Sequence, residues 1–283
     1  MFKKGLAVLA VLAMLMGFTS SPAGAQGRLT LAYVEWDCAV ASTNVARAVL
    51  QEKLGYNVET LSVSAAAMWQ GIATGDVDAM VTAWLPVTHA DYWDATEGRV
   101  EDLGVLAEGA RIGLVVPEYV TIDSIEELND HANQFRGRIT GIDPGAGIMA
   151  RTEEAMEEYN LTNMELLEGS DATMAAALRD AVRAEDWIVV TGWSPHWKFG
   201  RWDLKYLEDS KKVYGEEEYI GKIGRQGLEE DAPDAYNFLK NFEWSQEDMA
   251  TVMDWNQEHP DLYANAVRFI EENPDLVEKW LEN

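Results

Sequence analysis

The sequence predicts an α/β protein of two lobes with a ligand cleft between them, and three observations carry that prediction. Short apolar runs alternate with helical stretches, the pattern of a parallel or mixed sheet flanked by helices. A second set of the same alternation begins after Pro117. Beyond about residue 209 the chain turns mostly helical, which reads as a return to the first lobe. The expected organisation is a leader over 1–25, a first lobe over 26–116, a second over 117–212 and a helical return over 213–283.

Each element has a local reason. Residues 29–34 form an apolar strand, and 39–54 a helix with Asp37 as its N-cap and Gly55 as its stop. Residues 57–63 follow as a strand and 65–74 as a helix ended by Gly75. A third strand over 78–84 is stopped by Pro86, which cannot donate to a ladder, and strand-like residues 105–116 run up to Pro117. The second set comprises a helix over 124–133, a strand over 138–142 broken by Asp143, Pro144 and Gly145, and a helix over 147–160. A strand over 164–167, a helix over 173–184 and an apolar strand over 187–191 complete it.

Composition narrows the function. The 283 residues hold 22 Lys+Arg against 49 Asp+Glu, a formal charge of −27, and a surface this acidic repels phosphate backbones, so nucleic acid is excluded as a partner. One cysteine rules out an internal disulfide framework and a Cys-based zinc site. Lys3 and Lys4, the apolar run 5–18 and the small residues Ala23 and Ala25 have the layout of a cleavable export signal. The expected mature chain is exported, inserts in no membrane and acts in the periplasm as a monomer. Export also removes a steady supply of nucleotide cofactors. Gly145, Gly147 and Ala150 fit a dinucleotide pattern with Glu165 twenty residues past the first glycine, but their place mid-chain, after Asp143-Pro144, argues against it. No nucleophile elbow, P-loop or zinc-protease motif occurs, and the four histidines have no metal-ligand spacing. The expectation is no enzyme, no metal and no cofactor; an exported hydrolase using paired carboxylates is the distant alternative.

Three of the eleven tryptophans fall where a cleft would be lined. Trp36 follows the first strand, Trp84 closes the third, and Trp193 follows the strand before Pro195, whereas Trp69, Trp187, Trp255 and Trp280 sit on periodic faces suited to a core. Strand-end loops flanked by Gly or Pro are poor places to bury a core residue. Three indoles facing one space make a box for a quaternary ammonium, which has no N–H to donate and is selected by ring quadrupoles at ~0.5–2 kcal/mol per ring. At most about 6 kcal/mol results, short of the ~8 kcal/mol of a micromolar complex, so a second group must bind. A carboxylate on the same ligand would be held by the free N–H groups at a helix start after Gly145, through Gly147 and Ile148, and His89 is a candidate donor.

At this point the sequence resembles the glycine betaine/proline betaine-binding proteins of bacterial ABC transporters. The matching stretches are Trp36-Asp37 with Ala41 to Asn44, Met68-Trp69 with Gly71 to Asp76, and Ala83 to Pro86 with Thr88-His89. Gly141 to Gly145 with Gly147 to Met149, and Thr191 to Trp197, complete the set over nearly the whole mature chain. The resemblance implies a two-lobed periplasmic binding-protein fold, type II-like, that closes on its ligand and delivers it to an inner-membrane ABC permease. It implies that Trp36, Trp84 and Trp193 cage the trimethylammonium group, with Gly147, Ile148 and His89 on the carboxylate. Glu35 and Cys38 depart from the family pattern. An inward Glu35 would favour a more cationic ligand such as choline, and carnitine and a sulfonium betaine are further candidate ligands. Alternation along the strand lets Glu35 point away.

Overall fold

The computed structural model describes residues 27–282, so the expected leader lies outside the described residues. The first lobe opens with β1 (Arg28–Tyr33), α1 (Asp37–Glu52), β2 (Asn57–Ser62), α2 (Ala65–Thr74), β3 (Ala79–Leu85), α3 (Ala90–Thr96) and β4 (Val100–Pro117). The second holds a 3-10 turn at Ile125–Leu128, β5 (Arg138–Thr140), α4 (Gly147–Glu158), β6 (Glu165–Leu167), α5 (Asp171–Ala184), β7 (Val190–Ser194), α6 (Lys198–Arg201) and β8 (Leu204–Tyr206). The return comprises β9 (Glu218–Arg225), α7 (Leu228–Asp231), α8 (Pro233–Asn241), α9 (Gln246–Glu258), α10 (Leu262–Glu272) and α11 (Pro274–Trp280).

The strands run in the order β2-β1-β3-β9-β4-β7-β5-β6, with β8 on β4. β1 pairs in parallel with β2 and β3, whereas β9 is antiparallel to both β3 and β4. β4 serves two sheets. Its residues up to Ala110 pair with β9, and those from Arg111 onward pair with β7 and β8. The chain thus passes between the lobes twice, inside β4 and again between β8 and β9. α10 and α9 pack on α1, which returns the C-terminal helices to the first lobe. β3 is buried along its whole length, as a central strand covered on both faces must be.

Several local expectations need correction. Asp37 is not the N-cap of α1: Trp36 holds that place without a side-chain cap bond, and Asp37 is the first helical residue. The helix expected over 124–133 shrinks to one 3-10 turn with a Ser124–Glu127 capping box, because Asp130, His131 and Asn133 are weak helix formers and Arg136 and Gly137 both take left-handed backbone. The strand expected over 187–191 is Val190–Ser194, which places Trp193 inside it. The largest miss is β9, a strand within the stretch expected to be helical.

Candidate functional site

Residues from both lobes close on one small pocket. Trp36, Cys38, Trp84, Thr88 and His89 come from the first lobe; Ile142, Ala146, Gly147, Ile148 and Trp193 come from the second, and Ile112 from the half of β4 that pairs with β7. All six residues singled out in the sequence line it. Trp36 sits in the turn between β1 and α1, Trp84 is the penultimate residue of β3, and Trp193 the penultimate residue of β7. All three indoles are buried, at 3–5% exposure, although they face a cavity rather than solid core. The Trp36 indole N–H reaches across the cleft to Asp143 Oδ1 at 3.0 Å, and the hydroxyl of Tyr92 donates to the Gly145 carbonyl at 2.6 Å from the same side.

His89 is set up as a donor. Its Nδ1 accepts the Trp84 N–H at 3.0 Å, so a neutral ring carries its proton on Nε2. That Nε2 is buried with no partner among the described residues, and burial lowers the pKa of the imidazole to about 3. Trp36, Trp69 and Tyr92 pack around the ring at centroid distances of 5.8, 5.9 and 5.8 Å. Glu218, at the start of β9, braces the turn that carries His89: its carboxylate accepts the Val87 and Thr88 N–H groups at 2.8 Å each, and the Thr88 hydroxyl as well. No sequence signal points to Glu218, which lies 131 residues from Val87.

Opposite His89, α4 begins with Ala146 as an N-cap that has no side-chain bond and with no acidic residue in its first turn. The leading N–H groups of a helix have no acceptor within it, and the positive helix end adds to their pull on an anion. Gly147 is tight against the other lobe. A Cβ there would stand 2.0 Å from the Thr88 carbonyl oxygen, so the two lobes approach this closely only because position 147 has no side chain.

A polar cluster, also unforeseen, lies behind Trp193. Lys198 Nζ stands 4.0 Å from the Trp193 ring centroid, fully buried and without a hydrogen bond among the described residues. Asp171, at the head of α5, accepts the Asp37 N–H at 3.0 Å and faces His196 Nε2 at 3.1 Å. The Asp37 carboxylate accepts the Trp197 indole N–H and the Gln257 amide at 3.3 Å. Burial, then the charge of Asp171, raises the pKa of Asp37 to about 6; burial lowers Lys198 to about 8 and His196 to about 4. Asp37, Asp171 and His196 lie close enough together to surround a metal ion, but N–H donors already occupy both carboxylates. Cys38 is a free, buried thiol whose pKa burial raises to about 12, which keeps it unreactive. Glu35 is exposed and accepts the Tyr33 hydroxyl at 3.1 Å, away from the cavity.

Two lobes closing on a small apolar cavity with polar groups at one end define a binding protein of the periplasmic type. Residues 27–272 match the family described as the substrate binding domain of the ABC-type glycine betaine transport system, and the chain belongs to that family. It is 38% identical to the glycine betaine, L-proline-binding protein ProX of Borrelia burgdorferi, whose crystal structure superposes with a TM-score of 0.87 over 90% of this chain and 97% of that one. Lactococcal OpuAC, solved in a closed form with glycine betaine, is 40% identical with a TM-score of 0.86 over 90% of this chain and 100% of that one. The glycine betaine/carnitine transport binding protein GbuC of Listeria monocytogenes is 44% identical over 164 residues, 57% of this chain. The match spans 55% of that relative's own length.

Proposed function

We propose that this protein captures glycine betaine, or a closely related quaternary ammonium osmolyte, between its lobes and hands it to an ABC permease in the inner membrane. The observation that carries this reading is one cavity that brings together three indoles, an unpartnered neutral imidazole N–H and an uncapped helix start. Trp36, Trp84 and Trp193 surround the methylated head. His89 Nε2–H and the N–H groups of Gly147 and Ile148 hold the carboxylate, each charge-assisted bond contributing about 1.5–3 kcal/mol. Closure brings both sets together, so ligand shifts the hinge toward the closed form through contacts that the open form lacks. The two passages of chain between the lobes are where it bends. The protein works as an exported periplasmic monomer and catalyses nothing. The outward Glu35 supplies no charge to the cage and so offers nothing to a choline reading.

A thermal-shift panel of glycine betaine, proline betaine, carnitine, choline and a sulfonium betaine tests the assignment, with the carboxylate-bearing betaines expected to raise the melting temperature most. Trp193→Ala should then weaken glycine betaine at least tenfold in calorimetry, roughly one ring's contribution. A panel without a single shift, or an unchanged affinity in the variant, overturns the cage.

A further inference from the structure

The charged groups behind Trp193 face a site they do not enter. Lys198 stands over the indole but is absent from the cavity lining, so its ammonium lies against the ring outside the space a ligand would fill. The nearby carboxylates come from both lobes, Asp37 from the head of α1 and Asp171 from the head of α5. His196 Nδ1 accepts the Lys198 backbone N–H at 3.2 Å, which leaves the Nε2 proton facing Asp171 in the neutral ring. Near neutral pH the cluster therefore carries two negative charges and one positive one, and it is assembled across the two lobes.

We propose that Lys198 and the carboxylates of Asp37 and Asp171 set the charge preference of the site in opposition, the ammonium against Trp193 disfavouring a ligand of net positive charge and the carboxylates favouring it. This rests on the cavity being an ammonium cage. In a buried, weakly screened setting a cation responds to the full potential of the cluster, whereas a zwitterion responds only to the difference between its two ends. Lys198 is thus a positioning and selectivity residue that acts through Trp193 and never touches the ligand. A purely structural role would change the affinities of both ligand types together.

The test measures glycine betaine and choline affinities of the full mature chain near pH 7.5, with choline read by competition against glycine betaine. Lys198→Met keeps the chain length and apolar stem and removes the charge; it should raise choline affinity relative to glycine betaine by about tenfold, the effect of one charge at such range. Asp37→Asn keeps an acceptor for Trp197 and should move the ratio the opposite way, which keeps the test open if one variant fails to fold. An unchanged ratio in the folded variants overturns the proposal. Failure of the wild-type protein to bind either ligand would instead overturn the cage on which it rests.

Discussion

His89 shows how tertiary packing prepares one side chain for the proposed carboxylate subsite, a role that its sequence context leaves open. A lone histidine is more often structural, yet here the Trp84 N–H fixes its tautomer and the surrounding rings leave Nε2 facing the cavity. His89→Ala should weaken glycine betaine more than choline in calorimetry, because only the betaine presents a carboxylate; equal losses would remove His89 from that subsite. The same burial has a signature in stability. Its pKa is about 3 in the folded chain against 6.5 for an ordinary histidine, so the neutral form is favoured and the stability it confers is full above 6.5. As the pH falls from 6.5 toward 3, the unfolded chain takes up the proton first and stability is lost, about 3 kcal/mol by pH 4. His89→Gln, which does not titrate, lacks this loss. In urea unfolding the gap between wild type and His89→Gln should narrow by about that amount between pH 7.5 and 4, and a constant gap would mean that the imidazole is not buried neutral.

Among the elements, the start of α4 is where packing and the proposed carboxylate subsite depend on the same position. A methyl group at position 147 collides with the backbone of Thr88 across the cleft, a contact that no side-chain rotation relieves. Gly147→Ala should therefore cost at least tenfold in betaine affinity by holding the lobes apart, while the melting temperature without ligand stays nearly unchanged, since Ala at the first helical position is at least as good as Gly. Undiminished affinity would show that Thr88 does not seat against α4 in the bound form. This element was legible in the sequence because strand, Gly-rich turn and helix follow one another within ten residues or so, and the three cavity-lining tryptophans were legible because they fall at strand ends. β9 was not. Its eight residues, Glu218–Arg225, include two glycines and Lys222, the composition of a surface segment. Lys222 is nonetheless fully buried, its Nζ bonded to the Lys240 and Phe242 carbonyls at 2.9 and 2.7 Å around the end of α8. Glu218, Asp171 and Lys198 escaped notice for the same reason, since their partners are set by tertiary contact rather than by neighbours in the chain.

At the level of the whole molecule the dominant quantity is charge. A formal −27 over 283 residues is carried by a fold in which 22 basic residues cannot pair most of the 49 carboxylates. Like charges crowded on one compact surface raise the free energy of the folded state relative to the expanded chain. Salt shortens the reach of that repulsion, from about 10 Å at 0.1 M to about 3 Å at 1 M, and screens buried contacts much less. The melting temperature should accordingly climb as sodium chloride is raised across that range, with most of the gain at the low end where screening changes fastest. Betaine capture should be far less sensitive, because a zwitterion bound in a closed cavity brings no net charge to the protein. A melting temperature independent of salt would show that the acidic residues are spaced widely enough to ignore one another, and the surplus of carboxylates would then have no part in stability.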